Sequence, residues 1–311
     1  MKLSGSWERR GRNPLVGALL LVVGLGALYM LVQSLLVNGF ILADLARRGG
    51  RGLQAARGLE IFAGLYRRYR PVILIVLTAT QFLIFLLLPL LAVRRWHTPD
   101  LASYLGLRRL PPAGLLSLAG ILFLLPVSSG IAQWLLSFFP ALARWSRVGE
   151  ALIVDPRPWP LAATLLAIAV TPGLCEEVLF RGYLQRTLQR RLAFPWHFLL
   201  SGALFALFHQ QVLSLPSLLL VGFYLGFVYH RFGSLYLTMF CHFLYNGLLI
   251  LLANFPPRWP ALFSLEGNFR WPFVAGGAVL LAAAVAVMAS MRPPEQSAGR
   301  QRGGRRTPAF S

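Results

Sequence analysis

Lysine is nearly absent from these 311 residues: Lys2 is the only one, so arginine supplies almost all of a formal net charge of +20. Acids are scarce as well, ten Asp and Glu in total. The two cysteines, Cys175 and Cys241, do not make a disulfide framework and leave the redox compartment unread. No internal repeat is evident. No H-E-x-x-H occurs, which removes the helix-borne zincin arrangement. No G-x-S-G or G-x-S-x-G stands in an apolar run, so a serine nucleophile has no support. No aspartate lies inside such a run either, which argues against aspartyl catalysis within a membrane.

What the sequence has in quantity is apolar length. Hydrophobic residues make up 57% and charged residues 13%, and mean hydropathy is +0.63. Runs of about 17 to 25 apolar residues suit helices that cross about 30 Å of hydrocarbon. Candidates lie near 15–39, 72–93, 113–139, 158–180, 196–212, 214–230, 233–254 and 271–291. The expected fold is therefore all-α, a polytopic membrane helix bundle of about eight transmembrane helices. The first run is too long for a signal-peptide core and no small-x-small site closes it, so it reads as an uncleaved span.

The arginines fall in short loops and tails, where the positive-inside rule accounts for them without nucleic acid. That rule puts both termini in the cytoplasm, with the loop holding Arg94, Arg95, Arg108 and Arg109 and the loop holding Arg186, Arg190 and Arg191. Segment 46–70 conflicts: it is arginine-rich yet falls outside. Either the first span is irregular or 52–66 forms an interfacial helix. Segment 255–271 reads as an interfacial loop and the tail 292–311 as disordered. The expected organisation is N-terminal transmembrane helices with basic loops over 1–157, a core over 158–254, a loop and last span over 255–291, and the tail.

Of the ten acids, Glu176 and Glu177 alone fall in or at the edge of an apolar run, where ionised carboxylates have a partner or a task. Adjacent helical residues point about 100° apart, so the pair divides. Glu177 has Arg181 four residues on, the spacing of an intrahelical ion pair. Glu176 has Phe180 there and no counter-ion on its own helix. Thr171-Pro172-Gly173 just before it either restarts the helix with Thr171 as N-cap or kinks a continuous one.

Two histidines, His209 and His242, also fall in apolar runs, and Asn246 follows His242 by one turn. His97, His197 and His230 adjoin tryptophans or an arginine at span ends, where interfacial solvation accounts for them. A carboxylate, two imidazoles and a carboxamide suit hydrolysis: the carboxylate takes a proton from water, and Asn246 can donate to an oxyanion. The imidazoles either ligate a divalent metal such as Zn2+ or hold the water by hydrogen bonds. Cys175 and Cys241 point away from their neighbouring Glu and His and read as small apolar filler.

"EEVLFR", "FALFH" and "HFLYN" resemble, in order and spacing, the motifs E-E-x-x-x-R, F-x-x-x-H and H-x-x-x-N of the CAAX protease and bacteriocin-processing (CPBP, or Abi) family of intramembrane proteases. The resemblance covers about 158–254. It implies that Glu176 activates water and that His209 binds that water or a metal held with His242 and Glu176. It further implies that His242 and Asn246 support the site and the oxyanion, with Glu177, Arg181 and Phe205 structural. The implied substrate is a membrane-associated protein or peptide, in some members a lipidated one, and the implied location is the cell membrane. The competing reading is a non-enzymatic immunity-type membrane protein or a proton-coupled carrier. One expectation strains this picture: with span four ending near 180, Glu176 and His209 differ in depth by about 10–15 Å. Oligomeric state is unread.

Overall fold

Long apolar segments in a bilayer must bond their own backbone groups, and a helix does so within one segment. The computed structural model describes residues 3–47, 59–255 and 271–291, and every regular element among them is helical. Apart from a short 3-10 turn at Val212–Ser214, these are in order α1 (Ser6–Arg9), α2 (Pro14–Arg47), α3 (Glu60–His97), α4 (Leu101–Leu105), α5 (Pro112–Ser137), α6 (Pro140–Ile153), α7 (Pro158–Leu188), α8 (Trp196–Phe208), α9 (Leu215–Phe232), α10 (Leu235–Asn254) and α11 (Trp271–Ser290). Seven of them, α2, α3, α5, α7, α9, α10 and α11, are long and apolar enough to cross a membrane. The protein is an all-α polytopic bundle.

The eighth expected span, 196–212, is a shorter apolar helix, α8, which ends at Phe208. Polar residues follow at once, and Gln210 takes a φ of 53°, in the left-handed region, which turns the chain out of the helix just after His209. The fourth span is longer than expected and reaches Leu188. The second starts earlier: Arg67, Arg68 and Arg70 are helical rather than in a loop. Arg70 is buried because Asp155 meets its guanidinium at 2.7 Å and Thr164 Oγ1 accepts from it at 2.5 Å. The basic stretch 48–58, most of the interfacial loop and the tail from 292 lie outside the described residues.

Two histidines expected at a wet interface are instead buried. The chain before α2 folds back onto the end of α3: Ser4 and Gly5 N–H donate to His97 O at 3.0 and 2.8 Å. His97 Nδ1 then bonds Glu8 Oε1 at 2.6 Å, so the ring is covered. His197 is buried beside His230, their rings 4.8 Å apart. Cys175 and Cys241 are buried and unpaired by any disulfide, as filler should be.

One continuous apolar core joins the N-terminal helices to those of the motif region, from Ala18 and Val22 through Phe85 to Leu179, Phe205, Leu225 and Tyr245. Helices α8 and α9 cross with backbones in contact at Gly202 and Gly222. A Cβ on Gly202 would come within 2.7 Å of Gly222 C, so no larger residue fits without moving a helix. Small residues at such crossings let helices approach where apolar burial alone gives no drive.

Candidate active site

Glu176 and Glu177 lie in regular helical turns, 171–177, flanked in α7 by widened π-type turns at 166–170 and 178–185. Such bulges arise where the regular bonding ladder is interrupted. Pro172 is one cause: it has no N–H for the carbonyl of Ile168, four residues back. Asn246 of α10 takes that carbonyl, donating from Nδ2 at 3.0 Å. Thr171 stays helical, with φ −62° and ψ −50°, and its Oγ1 donates to Leu166 O at 2.8 Å. The helix is therefore continuous through Thr-Pro-Gly and does not restart there.

The glutamates have the separate environments that helical geometry requires. Glu177 is fully buried: its Oε1 accepts from Arg181 Nη1 at 2.8 Å and from His242 Nδ1 at 2.9 Å. Arg181 is buried too and donates from Nη2 to Gly222 O at 3.0 Å, at the crossing of α8 and α9. Its guanidinium lies 4.6 Å from the centre of the Phe205 ring, a cation–π contact that strengthens away from water. Phe205 also packs near both imidazoles, with ring centres 4.7 Å from His209 and 5.5 Å from His242.

Glu176 is different. Its side chain is 10% exposed and Glu177's is 0%, so the two differ in reach. Glu176 Oε2 has no hydrogen-bond partner. The nearest imidazole nitrogen is His209 Nε2, at 3.9 Å, and His209 Nδ1 donates to Phe205 O at 2.8 Å. A carbonyl can only accept, so a hydrogen is on Nδ1, and Nε2 is the ring nitrogen turned toward Glu176.

The expected depth mismatch is absent. Glu176 lies twelve residues before Leu188, and His209 thirteen after Trp196. At about 1.5 Å per residue both stand roughly 18–20 Å from the turn that joins α7 to α8. The extension of α7 brings the carboxylate to the level of the histidine.

The site thus gathers Glu176 with His209, and Glu177 with Arg181 and His242, around Phe205. Asn246 sits beside the same helix but donates to Ile168. As a metal set, Glu176, His209 and His242 are not drawn together: among the described residues no group of three or more His, Cys, Asp and Glu side chains could hold a metal ion. Three polar groups that the motifs do not include cluster where α2 meets α3: Tyr29 lies beside the Gln33 and Gln81 side chains, and Gln33 Nε2 donates to Thr80 Oγ1 at 2.9 Å. The signal for them was there: Gln33 and Gln81 interrupt otherwise apolar runs.

Residues 158–248 match the family described as Type II CAAX prenyl endopeptidase Rce1-like. That segment has a CAAX-protease-like fold. It holds Glu176, Glu177, Arg181, Phe205, His209, His242 and Asn246, while Tyr29 and Gln81 lie outside it. No curated protein and no solved structure matches the chain.

Proposed function

We propose that the protein is an intramembrane endopeptidase, with Glu176 as general base and His209 as its partner in holding the attacking water. The observation that carries this reading is Glu176 Oε2, buried with no hydrogen-bond partner and 3.9 Å from His209 Nε2. That separation exceeds a direct hydrogen bond. A water about 2.8 Å from each atom fits the gap, donating one hydrogen to the carboxylate and one to the imidazole. Its oxygen lone pairs are then free to face a peptide carbonyl.

The reaction follows from those positions. Water oxygen adds to the scissile carbonyl carbon as Glu176 takes one of its protons. The tetrahedral intermediate collapses, the C–N bond breaks, and Glu176 returns the proton to the leaving nitrogen. Glu177 takes no proton in this scheme: Arg181 and His242 hold it as a fixed charge that sets the His242 ring. The steps use this chain's own side chains and none runs through a metal.

The substrate class is a membrane-associated protein or peptide, lipidated or not, and the location is the cell membrane with both termini cytoplasmic, which the arginine distribution supports. The catalytic part is 158–254. Purified wild-type protein and Glu176→Gln, each assayed on a library of membrane peptides with bound metal measured alongside, test the reading. Cleavage by wild type and none by Glu176→Gln is the expected result. Equal cleavage by both would sink it.

A further inference from the structure

Two histidines meet where α8 begins and α9 ends, about 18 Å along α8 from His209. His197, the second residue of α8, is 3% exposed, and its Nδ1 has no hydrogen-bond partner in the protein. An unmet nitrogen this deep costs free energy unless something outside the chain bonds it. His230, two residues before the end of α9, stands against it, with ring centres 4.8 Å apart and planes tilted by 41°. His230 is exposed. The pair thus joins a buried imidazole to an accessible one.

The sequence builds this contact from both helices. Gly226 lies one turn before His230, and a Cβ there would stand 3.1 Å from Phe198 Cβ and 3.2 Å from Phe198 O, so its absence lets α9 lie close against the first turn of α8. Phe194 and Phe198 flank the pair, with ring centres 5.2 and 6.3 Å from that of His230. Arg231, the adjacent cation, is engaged with α11, where its Nε donates to Met288 O. The ring spacing fits two imidazoles that share one divalent ion. With metal–nitrogen bonds of about 2.0–2.1 Å the ion stands about 3.2 Å from each ring centre, which puts the centres about 4.5–5.2 Å apart for bond angles of about 90–110°. The observed 4.8 Å lies inside that range.

We propose that His197 and His230 form a binding site for a divalent transition cation of the Zn2+ or Cu2+ kind, with water in the remaining positions on the exposed side. Imidazole nitrogen suits these ions, whereas Mg2+ and Ca2+ take oxygen ligands. The ion supplies the partner that the buried ring of His197 lacks. Two histidines are fewer than the three or four protein ligands of a resident metal centre, so the ion is exchangeable. When bound it ties the start of α8, the helix that leads to His209, to the end of α9. The site stands apart from Glu176, and no step of hydrolysis passes through it.

Full-length protein without a polyhistidine tag, in phosphatidylcholine nanodiscs, is titrated with Cu2+ and followed by electron paramagnetic resonance, whose nitrogen splitting counts the bound imidazoles. Wild type should bind one ion through two nitrogens and release it to excess Zn2+. His230→Phe exchanges an exposed imidazole for another aromatic ring, so the fold should hold, while Cu2+ affinity should fall by more than the about tenfold that loss of even a supporting residue costs. His197→Phe should do the same. His209→Phe, in the active site, should bind Cu2+ as wild type does. Zn2+ should raise the unfolding temperature of wild type and of His209→Phe, and leave that of His230→Phe unchanged. No bound Cu2+ in wild type, a signal from a single nitrogen, affinity unchanged in His230→Phe, or binding lost in His209→Phe overturns the proposal. Cleavage enters none of these readouts, so the peptidase reading can fail without this one.

Discussion

His209 Nε2 and Glu176 Oε2 stand 3.9 Å apart, and Glu176 Oε2 has no hydrogen-bond partner in the protein. That distance exceeds a direct hydrogen bond and leaves room for a water between them. This predicts different consequences for the two adjacent glutamates. Glu176→Gln should abolish cleavage while leaving thermal unfolding close to wild type, because no bond to the protein is lost. His209→Phe should lower kcat by about 100-fold or more, as for loss of a water-holding group. Unfolding curves and steady-state kinetics on the same preparations check both. A Glu176→Gln protein that unfolds well below wild type would show that the carboxylate is structural.

Glu177 carries the opposite expectation. Arg181→Met leaves its carboxylate buried without its cation, and breaking a buried pair from one side costs about 3–5 kcal/mol. It also removes the bond to Gly222 O and the contact with Phe205. Arg181→Lys should recover only part of this, since an ammonium lacks the planar fork that reaches Glu177 and Gly222 together. Thermal unfolding in detergent reads the difference, with wild type highest, then lysine, then methionine.

The division between these glutamates was legible in the sequence because helical geometry is local: four residues set Glu177 over Arg181, and nothing set a cation over Glu176. The all-α bundle was legible from apolar run lengths for the same reason. What stayed hidden depends on distant segments. The end of α7 at Leu188 follows from packing that covers Tyr183, Leu184 and Leu188 rather than from any stop signal near 180. The burial of His97 depends on the chain before α2 folding back, and that of Arg70 on an aspartate 85 residues away. The contact of Tyr29 with Phe85 was hidden because it depends on how α2 packs on the rest of the bundle, as where Gly26 meets Phe208.

Asn246 supports a prediction that separates helix repair from chemistry. Its amide covers the Ile168 carbonyl that Pro172 leaves without an N–H. Asn246→Leu should destabilise the protein by about 1–3 kcal/mol, the cost of an unmet buried carbonyl. Pro172→Ala restores an N–H at that position. In a Pro172→Ala background the same Asn246→Leu change should cost markedly less, a coupling that a double-mutant cycle measures directly. Equal cost in both backgrounds would mean that Asn246 matters through some other contact.

Glu8 makes the fold sensitive to acid from a position far along the chain from the site. Its Oε1 meets His97 Nδ1 at 2.6 Å, and Arg190 donates to Oε1 and Oε2 at 2.6 and 2.8 Å. Helix α1 is thereby tied to the ends of α3 and of the glutamate-bearing α7. Partial burial alone would raise the Glu8 carboxyl, but the bonds from Arg190 and His97 outweigh it and hold the group below its ordinary 4.5. A carboxyl lowered by folding contributes stability above its unfolded value, and the contribution is lost as pH falls through the folded value. Asp155, held at about 2 by Arg157 and Arg70, titrates later and equally in both proteins compared. Between about pH 6 and about pH 3, wild type should therefore lose more thermal stability than Glu8→Gln, whose side chain does not titrate. Parallel unfolding temperatures across that range would show that the contacts of Glu8 with Arg190 and His97 contribute nothing to the fold.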